Sequence, residues 1–150
     1  MGSTLSNLVY HLVFSTKNRE PLLIPAVRDD LYRYIAGIVK KEKGVLIQIG
    51  GMPDHLHLVV KLNPAHSLSD VMKNIKAGSS KWINDQKMVM GRFGWQEGYG
   101  AFTISESQLS GVIQYVKEQE SHHRTLSFKD EFVLFLKRHR IEYDDRYIWS

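Results

Sequence analysis

The sequence predicts an α+β fold from three observations. Segments with the two-residue period of strands alternate with segments whose apolar residues recur every three or four positions, as in helices. The resulting order is strand, helix, strand, strand, helix, strand, then two further helices. The first six elements match the ferredoxin-like or RRM-like arrangement, a four-stranded antiparallel sheet with two helices on one face. The other face is then left for function or for the C-terminal helices.

Residues 5–62 predict the first four elements. Residues 5–16 are apolar on nearly both faces, as in a central strand. Pro25 begins an amphipathic helix that Gly44 ends. Residues 45–49 predict a second strand, and residues 50–53 (Gly-Gly-Met-Pro) a tight turn into the third strand, so that the two strands form a hairpin.

The remaining elements follow from capping and apolar periodicity. Ser67 or Ser69 is predicted to cap a second helix, and residues 99–104 predict a fourth strand. Residues 105–108 (Ser-Glu-Ser-Gln) form a predicted capping box, which starts a third helix that runs to about His123. Residues 128–139 predict a fourth helix with phenylalanines on its apolar face.

Composition indicates a single globular domain over residues 1–150. The hydrophobic content of 43% is that of a protein with a packed core. There is no cysteine, which excludes a disulfide scaffold, thiolate metal ligands and a cysteine nucleophile. No signal peptide or membrane-spanning run is evident, so we expect a cytoplasmic protein without a membrane partner. The net charge of +4 is compatible with a polyanionic partner.

Two histidines on the third strand form the first candidate site. His55 and His57 are two residues apart, so a strand projects both from the same face. Two imidazoles side by side on a stiff strand supply two ligands of a metal site. The same pair also fits two solvated or hydrogen-bonded histidines on an edge strand.

A tyrosine and a glutamine on the third helix form the second candidate site. Tyr115 and Gln119 are four residues apart and share one face of a continuous helix. Taken alone, Tyr115 also fits the margin of the apolar stripe, and Gln119 a solvated position. His122 and His123 continue this side of the helix, either as DNA contacts, as supports of the site or as a solvated helix end.

Taken together, these motifs resemble the single-tyrosine HUH transposases, named for their His-hydrophobe-His strand. This family serves the smallest bacterial insertion sequences and includes the REP-associated tyrosine transposases. The resemblance runs nearly end to end. Its segments are residues 14–19, 52–57, 95–102, 115–123 and 146–149.

The resemblance implies a DNA transposase that cleaves and rejoins single-stranded DNA. His55, His57 and Gln119 would bind one Mg²⁺ or Mn²⁺ ion that positions the scissile phosphate. Tyr115 would attack the phosphorus and form a 5′-phosphotyrosine. The substrate would carry subterminal hairpins, and the protein would be a homodimer whose active sites are shared between subunits. The sequence identifies no base for Tyr115.

Four basic residues are candidate DNA contacts. Lys17 and Arg19 lie in the turn after the first strand, and Lys76 and Lys81 lie on the second helix. Each also fits an ordinary solvated position.

Two other classes of protein remain open at this point. A non-catalytic module that binds single-stranded nucleic acid would need aromatic side chains at the centre of the sheet face, where this sequence has histidines. A cupin-type metal hydrolase or oxygenase also carries His-x-His on a strand, but it needs a longer run of strands and usually a carboxylate or a third histidine nearby. A binding module would hold its ligand equally well in EDTA.

Overall fold

The computed structural model describes residues 4–119 and 126–150 and confirms the predicted α+β architecture. A four-stranded antiparallel sheet has the order β2-β3-β1-β4. The strands are β1 (Leu8–Ser15), β2 (Val45–Met52), β3 (His55–Leu62) and β4 (Gly100–Thr103). The helices are α1 (Pro25–Lys41), α2 (Leu68–Asp85), α3 (Leu109–Lys117) and α4 (Phe128–Arg138). Among the described residues, no helix is long and apolar enough to cross a membrane.

Helices cover both faces of the sheet. On one face, Leu12 and Phe14 of β1 and Leu56 and Leu58 of β3 pack in the main core with α1 and α2. Because side chains alternate along a strand, His55 and His57 lie on the opposite face. That face is covered by α3, through a cluster around Val116, and by α4, through three buried side chains: Phe128, Phe132 and Leu136. The histidine pair is therefore enclosed between the sheet and the C-terminal helices.

Glycines at the two ends of a row of four residues across the sheet allow α3 and α4 to approach closely. In the strand register, the consecutive partners are Gly50, His57, Val13 and Gly100. A Cβ on Gly50 would lie 2.0 Å from the carbonyl oxygen of Val116 in α3. A Cβ on Gly100 would lie 3.3 Å from the Phe132 ring in α4. Glycine at each end of the row thus leaves the space in which α3 and α4 pack on either side of His57.

The hairpin before the histidine pair differs from the prediction. The sequence predicts a turn over residues 50–53, but β2 continues to Met52, which pairs with His55. Only Pro53 and Asp54 lie between the strands. The glycines are needed for space within the strand, since a Cβ on Gly51 would lie 2.6 Å from the carbonyl oxygen of His55.

Pro25 begins α1 and a serine caps α2, as predicted, whereas the predicted end of α1 and the predicted start of α3 are wrong. Ser67 caps α2, its side chain accepting a hydrogen bond from the Asp70 amide at 3.1 Å. Ser105 makes no such bond, because Glu106–Gln108 forms a 3₁₀ turn before α3, so the predicted capping box does not form. α1 ends at Lys41, before Gly44, and Lys43, beyond the helix, has a left-handed conformation (φ 60°).

The third helix ends earlier than predicted. α3 stops at Lys117, and Glu118 leaves the helical conformation with φ −102° and ψ 30°. Tyr115 and Gln119 are therefore not on one uninterrupted helix. The Gln119 side chain nevertheless turns back, and its amide donates to the Tyr115 carbonyl at 3.3 Å. His122 and His123 lie outside the described residues.

Candidate active site

The histidine pair, Gln119 and a glutamate of α4 converge on one buried point of the sheet. The Nε2 atoms of His55 and His57 lie 3.5 and 2.8 Å from Glu131 Oε1. Gln119 Oε1 lies 3.2 Å from His55 Nε2. His55, His57 and Glu131 are 0% exposed, and Gln119 is 2% exposed. The fold thus brings the three predicted metal ligands together and adds a carboxylate.

Asp54 sets the tautomer of His55. The Nδ1–H of His55 donates to Asp54 Oδ1 at 2.7 Å. With the proton on Nδ1, the lone pair of Nε2 faces the oxygens of Gln119 and Glu131. Since these two oxygens are acceptors as well, a cation between them and His55 Nε2 would be a common partner for all three atoms.

His11 of β1 has the corresponding role for His57. Its Nε2 lies 2.8 Å from His57 Nδ1, and the two rings stack. Burial, together with the neighbouring His57, lowers the pKa of His11 to about 3. A neutral His11 can accept the Nδ1 proton of His57, and His57 Nε2 is then a lone-pair donor directed at the site.

The donor atoms fit a divalent cation. One ligand atom each from His55, His57 and Glu131 lies within 4.8 Å of the other two. Imidazole nitrogens suit transition metals, and carboxylate and amide oxygens suit Mg²⁺ and Mn²⁺. The hydrogen bonds to Asp54 and His11 supply the outer contacts that orient ligating histidines. These residues therefore form a potential metal site.

Tyr115 contacts the same carboxylate. Its hydroxyl donates a hydrogen bond to Glu131 Oε2. Its ring packs edge-on against His57 and Phe135, with centroid distances of 5.9 and 5.7 Å. Burial, followed by the hydrogen bond to Glu131, raises the pKa of Tyr115. The predicted nucleophile and the predicted metal ligands of one chain meet, with Glu131 between them.

Two openings flank this enclosed site. A cavity of about 440 Å³ beside β2 is lined by Gln119 together with Arg28 and Lys117. A second cavity, of about 420 Å³, reaches His11 from the β4 side and is lined by Arg138. In the first cavity, Arg28 and Lys117 stand beside the carboxylates of Asp29 and Glu118, whereas the second carries Arg138 and, among its described lining residues, no carboxylate.

Two of the predicted DNA-contacting residues lie near the histidine pair. Lys17 and Arg19 lie in the turn just after β1, whose last residue, Ser15, pairs with His55. Lys17 is exposed. The Arg19 guanidinium lies 5.8 Å from the centroid of the Trp149 ring and donates to the Trp149 carbonyl at 3.2 Å.

The other two lie on α2, across the sheet from the histidines. The Lys76 ammonium donates to three successive carbonyls, those of Gln96, Glu97 and Gly98, at 2.8, 3.1 and 2.6 Å. Burial lowers the pKa of Lys76 to about 8. Lys81 is exposed and pairs with Asp85 at 2.6 Å. Lys76 therefore holds the loop before β4 in place, and Lys81 makes a local helix pair.

Glu131 and His11 are the site residues that sequence reasoning missed. Glu131 interrupts the apolar pattern of α4, because it follows Phe128 and precedes Phe132 and Phe135. His11 is a single histidine in a strand that is otherwise apolar on nearly both faces. A polar residue within a buried pattern is the signal that could have identified both.

The fold and the site together define a single-tyrosine HUH transposase. The described residues place the His-x-His motif on a buried central strand and the tyrosine on the covering helix, and these are the two motifs in which the chain resembles that class. Residues 4–119 match the family described as "Transposase IS200 like", and the chain belongs to this family.

Individual relatives agree with this assignment. ISDra2 transposase TnpA of Deinococcus radiodurans is 26% identical over 117 residues, which cover 75% of this chain and 84% of the relative. A crystal structure described as that of a transposase from D. radiodurans R1 has a TM-score of 0.63 at 26% identity, over 79% of this chain and 95% of the other. A REP-associated tyrosine transposase, solved bound to a REP hairpin, has a TM-score of 0.63 at 14% identity, over 82% of this chain and 72% of the other. This last likeness shows the fold alone.

Proposed function

We propose that this transposase cleaves and rejoins single-stranded DNA through a covalent 5′-phosphotyrosine formed on Tyr115. One observation carries the proposal: Tyr115, His57 and Glu131 are in contact in a buried site that also holds His55 and Gln119. Membership of the IS200-like family supports DNA transposition as the overall reaction.

In the proposed step, the Tyr115 oxygen attacks the phosphorus and the bond to the 3′ oxygen breaks. The products are a 5′-phosphotyrosine and a free 3′ hydroxyl. The covalent link conserves the phosphodiester bond energy, so a second 3′ hydroxyl can later attack it and rejoin DNA without ATP. Phe135 and His57, which pack against the Tyr115 ring, would hold the nucleophile in position.

Mg²⁺ or Mn²⁺ is the proposed cofactor, held by His55, His57 and Gln119 together with Glu131. When bound, the ion would supply the positive charge that polarises the scissile phosphate and stabilises the leaving 3′ oxygen. Asp54 and His11 would keep both imidazoles in the ligating tautomer. Two nitrogens and two oxygens suit Mn²⁺ at least as well as Mg²⁺.

The proposed substrate is single-stranded DNA with hairpins near the ends of the element. A REP-associated relative of the same fold was solved with a REP hairpin, which supports hairpin recognition here. Of the predicted contacts, Lys17 and Arg19 are next to the His55 end of the site and would bind phosphates there. Lys76 and Lys81 would meet DNA only from the opposite side. We expect the protein to act in the cytoplasm, where bacterial DNA lies.

The two competing classes fit the molecule less well. A binding module of the RRM type needs an open sheet face with exposed aromatic side chains. Here that face is buried under α3 and α4 and carries His55, His57 and His11. A cupin needs a double sheet of many strands, whereas the described residues form a single four-stranded sheet.

The test is covalent capture of DNA by the purified protein. Single-stranded oligonucleotides covering both flanks of the gene are labelled at either the 3′ or the 5′ end and incubated with Mn²⁺, Mg²⁺ or EDTA. We expect a protein-linked species from the 3′-labelled strand only, because Tyr115 retains the 5′ phosphate. The 5′-labelled product should be shorter and extendable by a polymerase. The proposal would be refuted if oligonucleotides from both flanks bound the protein on native gels but gave no covalent species with either metal.

Two variants assign the roles within this experiment. Tyr115→Phe should abolish the covalent species and leave DNA binding nearly unchanged, because only the attacking oxygen is lost. His57→Ala should abolish cleavage and weaken Mn²⁺ binding, measured by the decrease in the free-ion EPR signal. A covalent species that persists in Tyr115→Phe would identify a different nucleophile.

A further inference from the structure

We propose that Glu131 is the general base that removes the proton of Tyr115 during DNA cleavage. This inference rests on the function proposed above and extends it, since it assigns the proton acceptor. The carboxylate contacts the reacting hydroxyl, which is the first requirement of a general base.

The two oxygens of Glu131 have different partners. Oε2 accepts the hydrogen bond of the Tyr115 hydroxyl, and Oε1 lies 2.8 Å from His57 Nε2 and 3.5 Å from His55 Nε2. A carboxylate has lone pairs on both oxygens. One oxygen can therefore face the histidine pair while the other takes a proton, without rotation of the side chain.

Neighbouring groups are less suited to this role. The amide of Gln119 is not a base at physiological pH. Both ring nitrogens of His57 are within hydrogen-bond distance of other groups, Nδ1 of His11 and Nε2 of Glu131. The His11 ring lies 6.5 Å from the Tyr115 ring, centroid to centroid, and its Nε2 is engaged with His57. Glu131, by contrast, already accepts the hydrogen bond of the tyrosine hydroxyl.

The carboxylate is held rigidly where the proton is released. Glu131 lies in the first turn of α4, and Ser127 caps that helix through the amide of Asp130. Phe128 and Phe132, on either side of Glu131 in the sequence, are buried against the sheet. Fixed donors and acceptors at a buried site need little reorganisation when the reaction occurs.

The step balances without an external reagent. As the bond between the Tyr115 oxygen and phosphorus forms, the phenolic proton moves to Glu131 Oε2. The bond between phosphorus and the 3′ oxygen breaks, and this oxygen takes up a proton from water. Glu131 then releases its proton to water. In the joining reaction, Glu131 first takes up a proton from water and passes it to the departing tyrosine oxygen. The attacking 3′ hydroxyl loses its own proton to water, so the reverse step also balances.

The experiment compares Glu131→Gln with wild type in single-turnover formation of the covalent species. Glutamine keeps the size and an acceptor oxygen for Tyr115, but it cannot take a proton. Each protein is used at saturating Mn²⁺, determined by EPR titration, so that a weakened metal site does not limit the rate. We expect a fall of roughly 10²–10⁴-fold, the usual range for loss of a general base. The matched control is Asp130→Asn, on the same helical turn but exposed, which should cleave at the wild-type rate.

A second measurement separates proton transfer from a structural role. Replacing Tyr115 by 3,5-difluorotyrosine lowers the pH at which the phenol ionises, so the need for a base decreases. We expect this residue to restore much of the rate lost in Glu131→Gln. We also expect Glu131→Asp, which keeps a carboxylate, to be faster than Glu131→Gln.

The outcomes distinguish this inference from the proposed function. Wild-type rates for Glu131→Gln at saturating Mn²⁺ would show that Glu131 is only a ligand, and would overturn the inference while the function stands. Failure of difluorotyrosine to raise the rate of Glu131→Gln, or a slower Glu131→Asp, would also overturn it. Absence of a covalent species in wild type would refute the function itself, and the inference with it.

Discussion

Two side chains outside the predicted ligand set determine how His55 and His57 present their nitrogens. Asp54 and His11 each hold one Nδ1 atom, and both Nε2 atoms then point at Glu131. His11 has this effect because it is buried among ring systems and stays uncharged. Its neutral state therefore links the site to the stability of the fold.

The free energy of unfolding in EDTA should fall as the pH is lowered from about 6.5 toward 3. Burial lowers the pKa of His11 to about 3 in the folded protein, from 6.5 for a solvated histidine. Between these values the unfolded chain binds a proton that the folded chain excludes, at about 1.4 kcal/mol per pH unit. His57 and His139 add to this effect and Glu131 opposes it. The cost of keeping His11 uncharged in the folded protein is absent above pH 6.5 and grows to its full size toward pH 3.

Urea unfolding of wild type and His11→Gln at pH 7, 6 and 5 measures this effect. The variant removes the titrating group and should lose less stability on acidification than wild type. Parallel losses in the two proteins would show that His11 does not exclude the proton.

The packing of α3 on β2 depends on the absence of a side chain at Gly50. The carbonyl of Val116, the residue after Tyr115, occupies the space that a Cβ would fill. Because the obstructing atom belongs to the backbone, a side-chain rotation cannot relieve the contact. The position of the nucleophile is thus tied to one glycine in the neighbouring strand.

Gly50→Ala should therefore displace α3 and slow formation of the covalent species. We expect a loss of stability of about 1–3 kcal/mol, as for overpacked sites. The control is Gly111→Ala on α3 itself, where nothing lies within 4 Å of an added Cβ. Alanine there should stabilise the helix by about 0.5–1 kcal/mol relative to glycine.

Urea midpoints and single-turnover cleavage rates test both variants. If Gly50→Ala matched wild type in both measurements, α3 would not need its close approach to β2.

The whole molecule assembles the candidate site from one chain. Tyr115 and Glu131 reach the histidines of the same polypeptide. The contacts that join the site are His11–His57 (46 positions apart), His57–Glu131 (74) and Tyr115–Glu131 (16). The family resemblance implies a site shared between two subunits, and the homodimer and single-domain assignments remain predictions. Contacts within the chain favour a site in which each subunit uses its own tyrosine.

Mixing two inactive variants distinguishes these arrangements. Tyr115→Phe and His57→Ala are expressed together with different tags, and the species carrying both tags is purified. If each site uses its own tyrosine, this species should form no covalent DNA adduct above background. Restored adduct on the His57→Ala chain would show that the tyrosine acts on the histidines of a partner.

The sequence alone determined the order of the elements, because the periods of strands and helices are local properties. It also determined that His55 and His57 share a face, since successive side chains of a strand point to opposite faces. The structure confirmed this and showed that the face is buried. Local signals were less reliable where packing competes with them. Gly50 and Gly51 resemble a turn but are strand residues, and the pattern at residues 105–108 resembles a cap that does not form.

Only the tertiary structure decided the partners of the buried polar groups. The contact of Glu131 with His57 spans 74 residues, and no local pattern encodes which distant group a buried carboxylate will meet. The same holds for His11, and for Gln119, which returns to His55 across a helix break. The periodicity of the chain places residues on faces. Which of those residues touch depends on how closely the helices approach the sheet, and this approach is set by the space left at Gly50 and Gly100.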